Sequence, residues 1–95
     1  MPAVPGSSER NGEVVVRLPD NVDLHARPAA DFVRCAMGFG ASIRVGTGER
    51  EADAKSLLAV LALGAKGGTD LRLSADGDDA AAAVDALAGC VTALA

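Results

Sequence analysis

The sequence predicts a two-layer α+β domain in which a four-stranded antiparallel sheet is covered on one side by three helices. Four short segments alternate apolar and polar residues with the period of a strand, and two of three helical segments carry a clear apolar stripe. The 95 residues suffice for one compact domain, and 49% apolar with 23% charged residues is typical of globular chains. We expect the element order βαββαβα.

The first strand follows a polar N-terminal stretch. Residues 1–12 contain proline, serine, asparagine and charged residues without an apolar run, so we expect a flexible tail there and a single domain over residues 13–95. Residues 13–19 form a β-branched run closed by proline, which is typical of a strand. The positions expected on its buried face are Val14, Val16 and Leu18.

A first helix is predicted over residues 26–37. Pro28 favours the first turn of a helix because its missing N–H breaks no intrahelical hydrogen bond. Apolar residues then follow the three-and-four spacing of an amphipathic helix, and two nearby glycines end it. The expected buried stripe is Ala29, Phe32, Val33 and Ala36. His25, the only histidine, therefore lies at the N-terminus of this helix.

The middle of the chain predicts a β-hairpin and a short helix. Residues 41–45 and 49–54 read as two strands around a glycine-rich turn, with the two alanines of the second strand facing inward. Ser56 and Gly64 suit the N-cap and C-cap of a helix over the apolar run between them. That run is too uniformly apolar for a surface helix, so it is either wholly buried or exposes an apolar patch to a partner.

The last two predicted elements are a strand and a helix. Residues 69–75 alternate strictly, which places both leucines of this segment on one face. Acidic turn residues at 76–79 suit the start of a helix over residues 80–94. The expected buried stripe of that helix is Ala80, Ala83, Val84, Leu87, Val91 and Leu94.

Composition and charge exclude several classes of function. A net charge of −4, with Phe32 and Phe39 as the only aromatic residues, leaves neither a basic surface nor stacking side chains for nucleic acid. No stretch approaches the ~18 apolar residues of a membrane span, so we expect a cytoplasmic protein. One histidine and two separated cysteines give no ligand set for a metal, and we expect no cofactor. For Cys35 and Cys90, buried reduced thiols are favoured over a disulfide in a reducing cytosol.

His25 is suited to phosphoryl chemistry by its predicted position. Free N–H groups and the dipole at a helix N-terminus favour added negative charge and disfavour imidazolium, and the neutral ring has the lone pair that attacks phosphorus. Arg27 offers a fork of donors to phosphate oxygens. These residues suffice for a carrier, whereas a hydrolase would also need a base or metal to activate water. From spacing alone, a capping or solvated surface histidine is the commoner alternative.

The run from Leu24 to Ala29, LHARPA, resembles the phosphorylation-site motif of the HPr family, the histidine-containing phosphocarriers of the phosphoenolpyruvate-dependent sugar phosphotransferase system. The resemblance covers about the whole of residues 13–94 and includes AKSLL at 54–58, KGGT at 66–69 and SADGD at 74–78. It implies an open-faced β-sandwich of four strands under three helices. It also implies a phosphoryl carrier with a phosphohistidine intermediate rather than an independent turnover enzyme.

The resemblance assigns roles to the two charged residues of the motif. His25 would accept a phosphoryl group from phosphorylated enzyme I through Nδ1 and pass it to IIA-type components of the phosphotransferase system. Arg27 would stabilise the phosphate. We expect a monomer, and no residue indicates which sugar or regulatory pathway the carrier serves.

Ser56 and the leucines after it resemble a second functional surface of the family. There the serine is a regulatory phosphorylation site in organisms with a dedicated serine kinase, and a phosphate would add charge that opposes docking without unfolding the helix. The partner-binding side chains implied are Arg34, Leu57, Leu58 and Leu61. From the residues alone, Ser56 is an ordinary N-cap and each leucine is equally well a core residue. An alternative function is a regulatory binding module acting through Ser56 and this patch, but such a module would not need His25.

Asp23 departs from the family pattern, which usually has glycine directly before the Leu-His pair. A carboxylate there favours imidazolium or repels the incoming phosphate, unless it points to solvent. We therefore predict that transfer through His25 is slower than in an Asp23→Gly variant.

Overall fold

A computed structural model describes residues 11–94, which form one four-stranded antiparallel sheet and three helices. In chain order the elements are β1 (Asn11–Arg17), α1 (Ala26–Ala36), β2 (Ser42–Thr47), β3 (Arg50–Asp53), α2 (Leu57–Leu63), β4 (Asp70–Asp76) and α3 (Ala80–Thr92). The predicted fold class and the βαββαβα order are confirmed. Residues 1–10 of the predicted tail lie outside the described residues.

The sheet has the strand order β1-β4-β2-β3, so β4 pairs with both the first and the second strand. Leu73 is the partner of Val14 on one side and of Val45 on the other, and Val45 in turn faces Ala52. These four side chains form a row across the inner face of the sheet. Because side chains alternate between faces, the neighbouring row carries the exposed residues Val15 and Arg72.

The inner face and the helices together form one apolar core. All four residues of the stripe predicted for α1 are buried, and so are five of the six predicted for α3, while Leu94 is partly buried against the core. Phe32 is the largest fully buried side chain, and its burial stabilises the fold by about 3 kcal/mol. Cys35 and Cys90, predicted to be buried, are half-buried free thiols. Within residues 11–94, no helix is long and apolar enough to cross a membrane.

Several strand boundaries differ from the prediction by one or two residues. Asn11 and Gly12, which the sequence placed in the tail, belong to β1 and pair with the end of β4. Gly12 lies so close to the start of α3 that a Cβ at this position would come 2.8 Å from the Ala80 carbonyl oxygen. The polar, glycine-containing segment is therefore a strand because of long-range pairing, which local propensity does not indicate. The hairpin is also tighter than predicted, with β2 continuing to Thr47 and β3 beginning at Arg50.

Candidate functional site

His25 is the N-cap residue of α1, as predicted, and it is exposed to solvent. Its backbone is extended, with φ −134° and ψ 163°, and its N–H donates a 2.8 Å hydrogen bond to the Asp23 carbonyl oxygen. The imidazole makes no capping hydrogen bond to the helix. The side chain is therefore open to solvent and is not used to cap the helix.

The first turn of α1 presents donors beside this ring. The earliest intrahelical hydrogen bond runs from the Ala29 N–H to the His25 carbonyl oxygen, at 3.3 Å. The N–H groups of Ala26 and Arg27 precede it and have no acceptor within the helix, which makes this end favourable for an anion. The Arg27 side chain is exposed and forms no ion pair with another described residue, so its guanidinium is available to phosphate oxygens.

Ala26 has a strained backbone at the same place. Its φ is +37°, and it is the only non-glycine residue with positive φ among residues 11–94. A side chain in this region costs roughly 1–2 kcal/mol because Cβ crowds the backbone carbonyl. The strain is local to the peptide that follows His25.

The loop that leads to His25 is fixed by hydrogen bonds to residues 65–69. Leu18 exchanges two backbone bonds with this segment, donating to Thr69 at 2.9 Å and accepting from Gly68 at 2.8 Å. Leu24 donates to the Ala65 carbonyl oxygen at 2.9 Å and is itself buried. The backbone on the N-terminal side of His25 is thus held on a neighbouring segment rather than free.

Asp23 adds a side-chain contact to this arrangement. Its Oδ1 accepts a 2.9 Å hydrogen bond from the Gly67 N–H, and its Oδ2 lies 4.0 Å from Lys66 Nζ. The carboxylate is therefore engaged at the protein surface instead of extending freely into solvent. A cavity of about 200 Å³ opens between these groups, lined by Asp23, Leu24, His25, Gly64, Ala65 and Lys66.

The second predicted surface is formed by α2 and the end of α1. Ser56 is the N-cap of α2, and its hydroxyl accepts a 3.2 Å hydrogen bond from the Ala59 N–H. Of the two alternatives for the apolar run, partial exposure is correct: Leu58 is 81% exposed and Leu57 41%, whereas Val60 is buried. With Met37, which is 65% exposed, Leu57 and Leu58 form what we call the apolar patch.

The two surfaces are connected by antiparallel helices. Leu57, at the start of α2, lines a shallow groove with Ala30, Val33 and Arg34 of α1 and with Met37, the C-cap residue of that helix. The other end of α2 reaches the His25 cavity through Gly64, whose φ of +62° terminates the helix in the left-handed region. At 1.5 Å per residue, the groove begins roughly 8 Å from His25 along α1 and ends roughly 18 Å away.

Comparison with known proteins decides the family. The family model described as the PTS HPr component phosphorylation site matches residues 12–93. The chain belongs to the HPr family. It is a phosphocarrier of the phosphotransferase system type, as the LHARPA motif at His25 indicates.

Individual HPr proteins agree in sequence and in structure. The phosphocarrier protein HPr of Haemophilus influenzae is 44% identical over 71 residues, which cover 75% of this chain and 84% of that protein. A crystal structure of HPr-C-His from Thermoanaerobacter tengcongensis is similar with a TM-score of 0.80 and 38% identity, covering 84% of this chain and 90% of that chain. A crystal structure of HPr from Bacillus anthracis also has a TM-score of 0.80, with 31% identity and coverage of 84% and 95%.

The residues predicted from the sequence fall into two groups in this HPr-family structure. His25 and Arg27 lie together at the start of α1, whereas Ser56, Leu57 and Leu58 lie at the far end of the α1–α2 pair. Leu61 packs partly against the core, and Arg34 is exposed and paired with Asp31 at 3.0 Å.

Sequence reasoning missed Met37, Lys66 and the strain at Ala26. Met37 directly follows Ala36, the last residue of the buried stripe of α1. Its position outside that stripe was the only signal in the sequence that its side chain is exposed. Lys66 was visible only as part of the KGGT motif, because the loop pairing that carries it to His25 is long-range.

Proposed function

We propose that His25 is the phosphoryl acceptor of this HPr-family carrier, loaded by phosphorylated enzyme I and unloaded by IIA-type components. The observation that carries this proposal is the exposed imidazole at the N-cap of α1, beside the guanidinium of Arg27 and the two free N–H groups of the first turn. The family's motif places a histidine and an arginine at the same two positions of the chain. Both groups are needed for transfer and neither is otherwise engaged in the fold.

For phosphoryl transfer, the protein mainly has to position the reacting groups and stabilise the charge on the phosphoryl oxygens. A ring nitrogen of His25 attacks the phosphorus of the enzyme I phosphohistidine, and the nitrogen–phosphorus bond of enzyme I breaks as the new one forms. The phosphoryl oxygens then lie against the N–H groups of Ala26 and Arg27 and the Arg27 side chain. Because these donors are already in place, transfer requires little rearrangement of the carrier.

The same geometry favours a carrier over a hydrolase. Enzyme-catalysed hydrolysis of phosphohistidine at neutral pH needs a base or metal that activates water. The carboxylate lining the cavity, Asp23, is engaged by Gly67 and Lys66. The site therefore offers no group placed to accelerate loss of the phosphoryl group to water, which favours its transfer to a partner histidine.

The apolar patch is proposed as the docking surface for both kinds of partner. Leu57, Leu58 and Met37 are large exposed apolar side chains, and Arg34 lines the groove with Leu57 and Met37, which suits a small interface with an apolar centre and a charged rim. The patch flanks the groove that runs along α1 toward His25. A partner seated on it would bring its own active histidine to the N-terminus of α1.

Ser56 is proposed as a regulatory phosphorylation site acting on that docking surface, with a protein-serine kinase as the partner. The observation that favours this role is the position of Ser56 directly before Leu57, the first residue of the apolar patch on α2. Ser56 lies roughly 15 Å from His25. This distance exceeds the Debye length of about 8 Å at physiological salt, so a phosphate on Ser56 would act through docking rather than through its field at His25.

The experiment that tests the acceptor is direct. The protein is incubated with phosphoenolpyruvate and a cognate enzyme I, and the phosphate bound to it is characterised by acid lability and mass spectrometry. We expect acid-labile phosphate on the unaltered protein and none on His25→Ala, while Arg27→Ala labels at least tenfold more slowly. Failure of the unaltered protein to label would overturn the assignment.

A paired experiment separates docking from chemistry. Phosphoramidate is a small phosphoryl donor that needs no protein interface. Ser56→Asp should label normally with phosphoramidate and more slowly with enzyme I, whereas Ser56→Ala should label normally with both. Equal slowing of Ser56→Asp with both donors would contradict action through docking.

A further inference from the structure

Two cysteines that are far apart in the sequence meet where α1 packs against α3. The Cys90 Sγ lies 3.9 Å from the Asp31 carbonyl oxygen, and so touches the backbone of α1. Asp31 precedes Cys35 by four residues, which is about one helical turn. Since helical side chains tilt toward the N-terminus, the Cys35 thiol lies over this same turn. The two thiols are therefore neighbours on facing helices.

The pKa of the Cys90 thiol also indicates contact between Cys90 and Cys35. Partial burial, together with the charge of the adjacent Cys35 thiol and a hydrogen bond between the two side chains, raises the pKa of the Cys90 thiol to about 11. Both cysteines are half-buried, so a small reagent reaches them without unfolding the protein. Neither thiol belongs to the phosphoryl site or to the apolar patch.

We propose that Cys35 and Cys90 are a dithiol that closes reversibly to an intramolecular disulfide, with a small-molecule disulfide of the glutathione type as oxidant. The modification would join the last turn of α1 to α3 around the loop of residues 36–89. It is independent of the phosphocarrier function proposed for His25.

The reaction is an exchange in two steps. Cys35, as its thiolate, attacks one sulfur of the small disulfide, so that a mixed disulfide forms and one small thiol leaves. Cys90 then loses its proton to solvent and attacks the Cys35 sulfur, which releases the second small thiol. Overall, two protein thiols are oxidised to one disulfide and one small disulfide is reduced to two thiols. Closure needs the Cys90 thiolate, so the second step should accelerate as the pH rises.

The position of the crosslink predicts its consequences. Cys35 lies roughly 15 Å along α1 from His25, so oxidation should leave labelling of His25 unchanged. A crosslink over a loop of this length constrains the unfolded chain and should raise the melting temperature by at least about 10 °C. Reduction would reverse both the crosslink and the added stability.

The test uses the full chain, reduced and then exposed to oxidised glutathione under native conditions. After alkylation in denaturant, mass spectrometry should find a species lighter than the reduced protein by two hydrogens, with no alkylated cysteine and a Cys35–Cys90 crosslinked peptide. Cys35→Ser and Cys90→Ser serve as matched controls that keep one thiol each and cannot form the intramolecular disulfide. The same reaction in concentrated urea measures how much of the closure depends on the fold.

Closure at least tenfold faster in native buffer than in urea, together with the higher melting temperature, supports the dithiol site. A native product that carries two glutathiones, or a disulfide-linked dimer, overturns it. A crosslinked protein with an unchanged or lower melting temperature also overturns it, because the two helices would then have been distorted to reach each other.

Discussion

The Asp23 carboxylate accepts a 2.9 Å hydrogen bond from the Gly67 backbone N–H, and this contact fixes a negative charge on the cavity that His25 lines. We predict that Asp23→Asn accelerates phosphorylation of His25 by enzyme I about threefold. The amide oxygen keeps the bond to Gly67, while repulsion of the incoming phosphate, worth about 0.5–1 kcal/mol in screened water, is removed. The check is kcat/KM for transfer from phosphorylated enzyme I.

The glycine variant separates the charge of Asp23 from its structural bond. Asp23→Gly should also transfer faster, but it loses the contact to Gly67 and about 1 kcal/mol of stability, which denaturant unfolding measures. Lys66, with Nζ 4.0 Å from Asp23, moderates the repulsion and keeps the effect small. Rates unchanged in both variants would remove any role for the Asp23 charge.

The strained residue after His25 gives a prediction about stability. Ala26→Gly should stabilise the fold by about 1 kcal/mol, because glycine adopts φ +37° without the Cβ clash. Ala29→Gly is the matched control in the same helix, where the alanine is buried and φ is helical, and it should destabilise by about 1 kcal/mol or more. Urea unfolding of both variants tests this, and destabilisation by Ala26→Gly would show that the strain is absent in solution.

The apolar patch predicts a charge-sensitive docking surface. Leu58→Glu should lower kcat/KM for enzyme I at least tenfold, since it places a charge in the centre of the proposed interface, and should leave labelling by phosphoramidate unchanged. Val15→Glu is the control, because Val15 is also exposed and apolar but lies on the outer face of the sheet. A Leu58→Glu protein that folds and accepts phosphate from enzyme I at the normal rate would contradict the docking role.

Local signals in the sequence explain why so much of the fold and site could be predicted. Pro28 and the apolar spacing after it place His25 at the start of α1, and Ser56 and Gly64 mark both ends of α2. Each of these signals acts within a few residues, where capping and periodicity dominate. The candidate phosphoryl acceptor is thus found from the residues on either side of it.

Long-range pairing explains what could not be predicted. Gly12 belongs to β1 because it pairs with β4. Lys66 approaches His25 because two loops pair through backbone hydrogen bonds, and Cys35 meets Cys90 because α1 packs against α3.

Asp79 is another residue whose contacts were not predicted, because the sequence indicated only that acidic residues begin the last helix. The residue is the N-cap of α3 but makes no side-chain bond to its own helix, and its carboxylate instead binds the loop after α1.

That carboxylate predicts an acid-sensitive contact. Asp79 Oδ2 and Oδ1 accept 2.9 Å hydrogen bonds from the N–H groups of Gly40 and Ala41, and Lys55 donates to the Phe39 carbonyl oxygen at 2.7 Å. The Gly40 bond is the main cause that lowers the pKa of Asp79 below its ordinary value of 3.8, with smaller contributions from Ala41 and Lys55. A lowered pKa in the folded state means that the contribution to stability is complete above about pH 4 and is lost as the pH falls through the folded value.

Asp79→Asn should therefore reduce stability at neutral pH, because an amide offers one acceptor oxygen to two N–H donors and turns its NH₂ group toward the other. The difference from the unaltered protein should shrink as the pH falls through the lowered pKa of Asp79, because the carboxylate is then itself protonated. Asp85→Asn, on an exposed position of α3, is the control and should leave stability nearly unchanged at all pH values. Thermal unfolding across this pH range checks the prediction. A constant difference between Asp79→Asn and the unaltered protein at every pH would mean that the ionised carboxylate does not hold the loop.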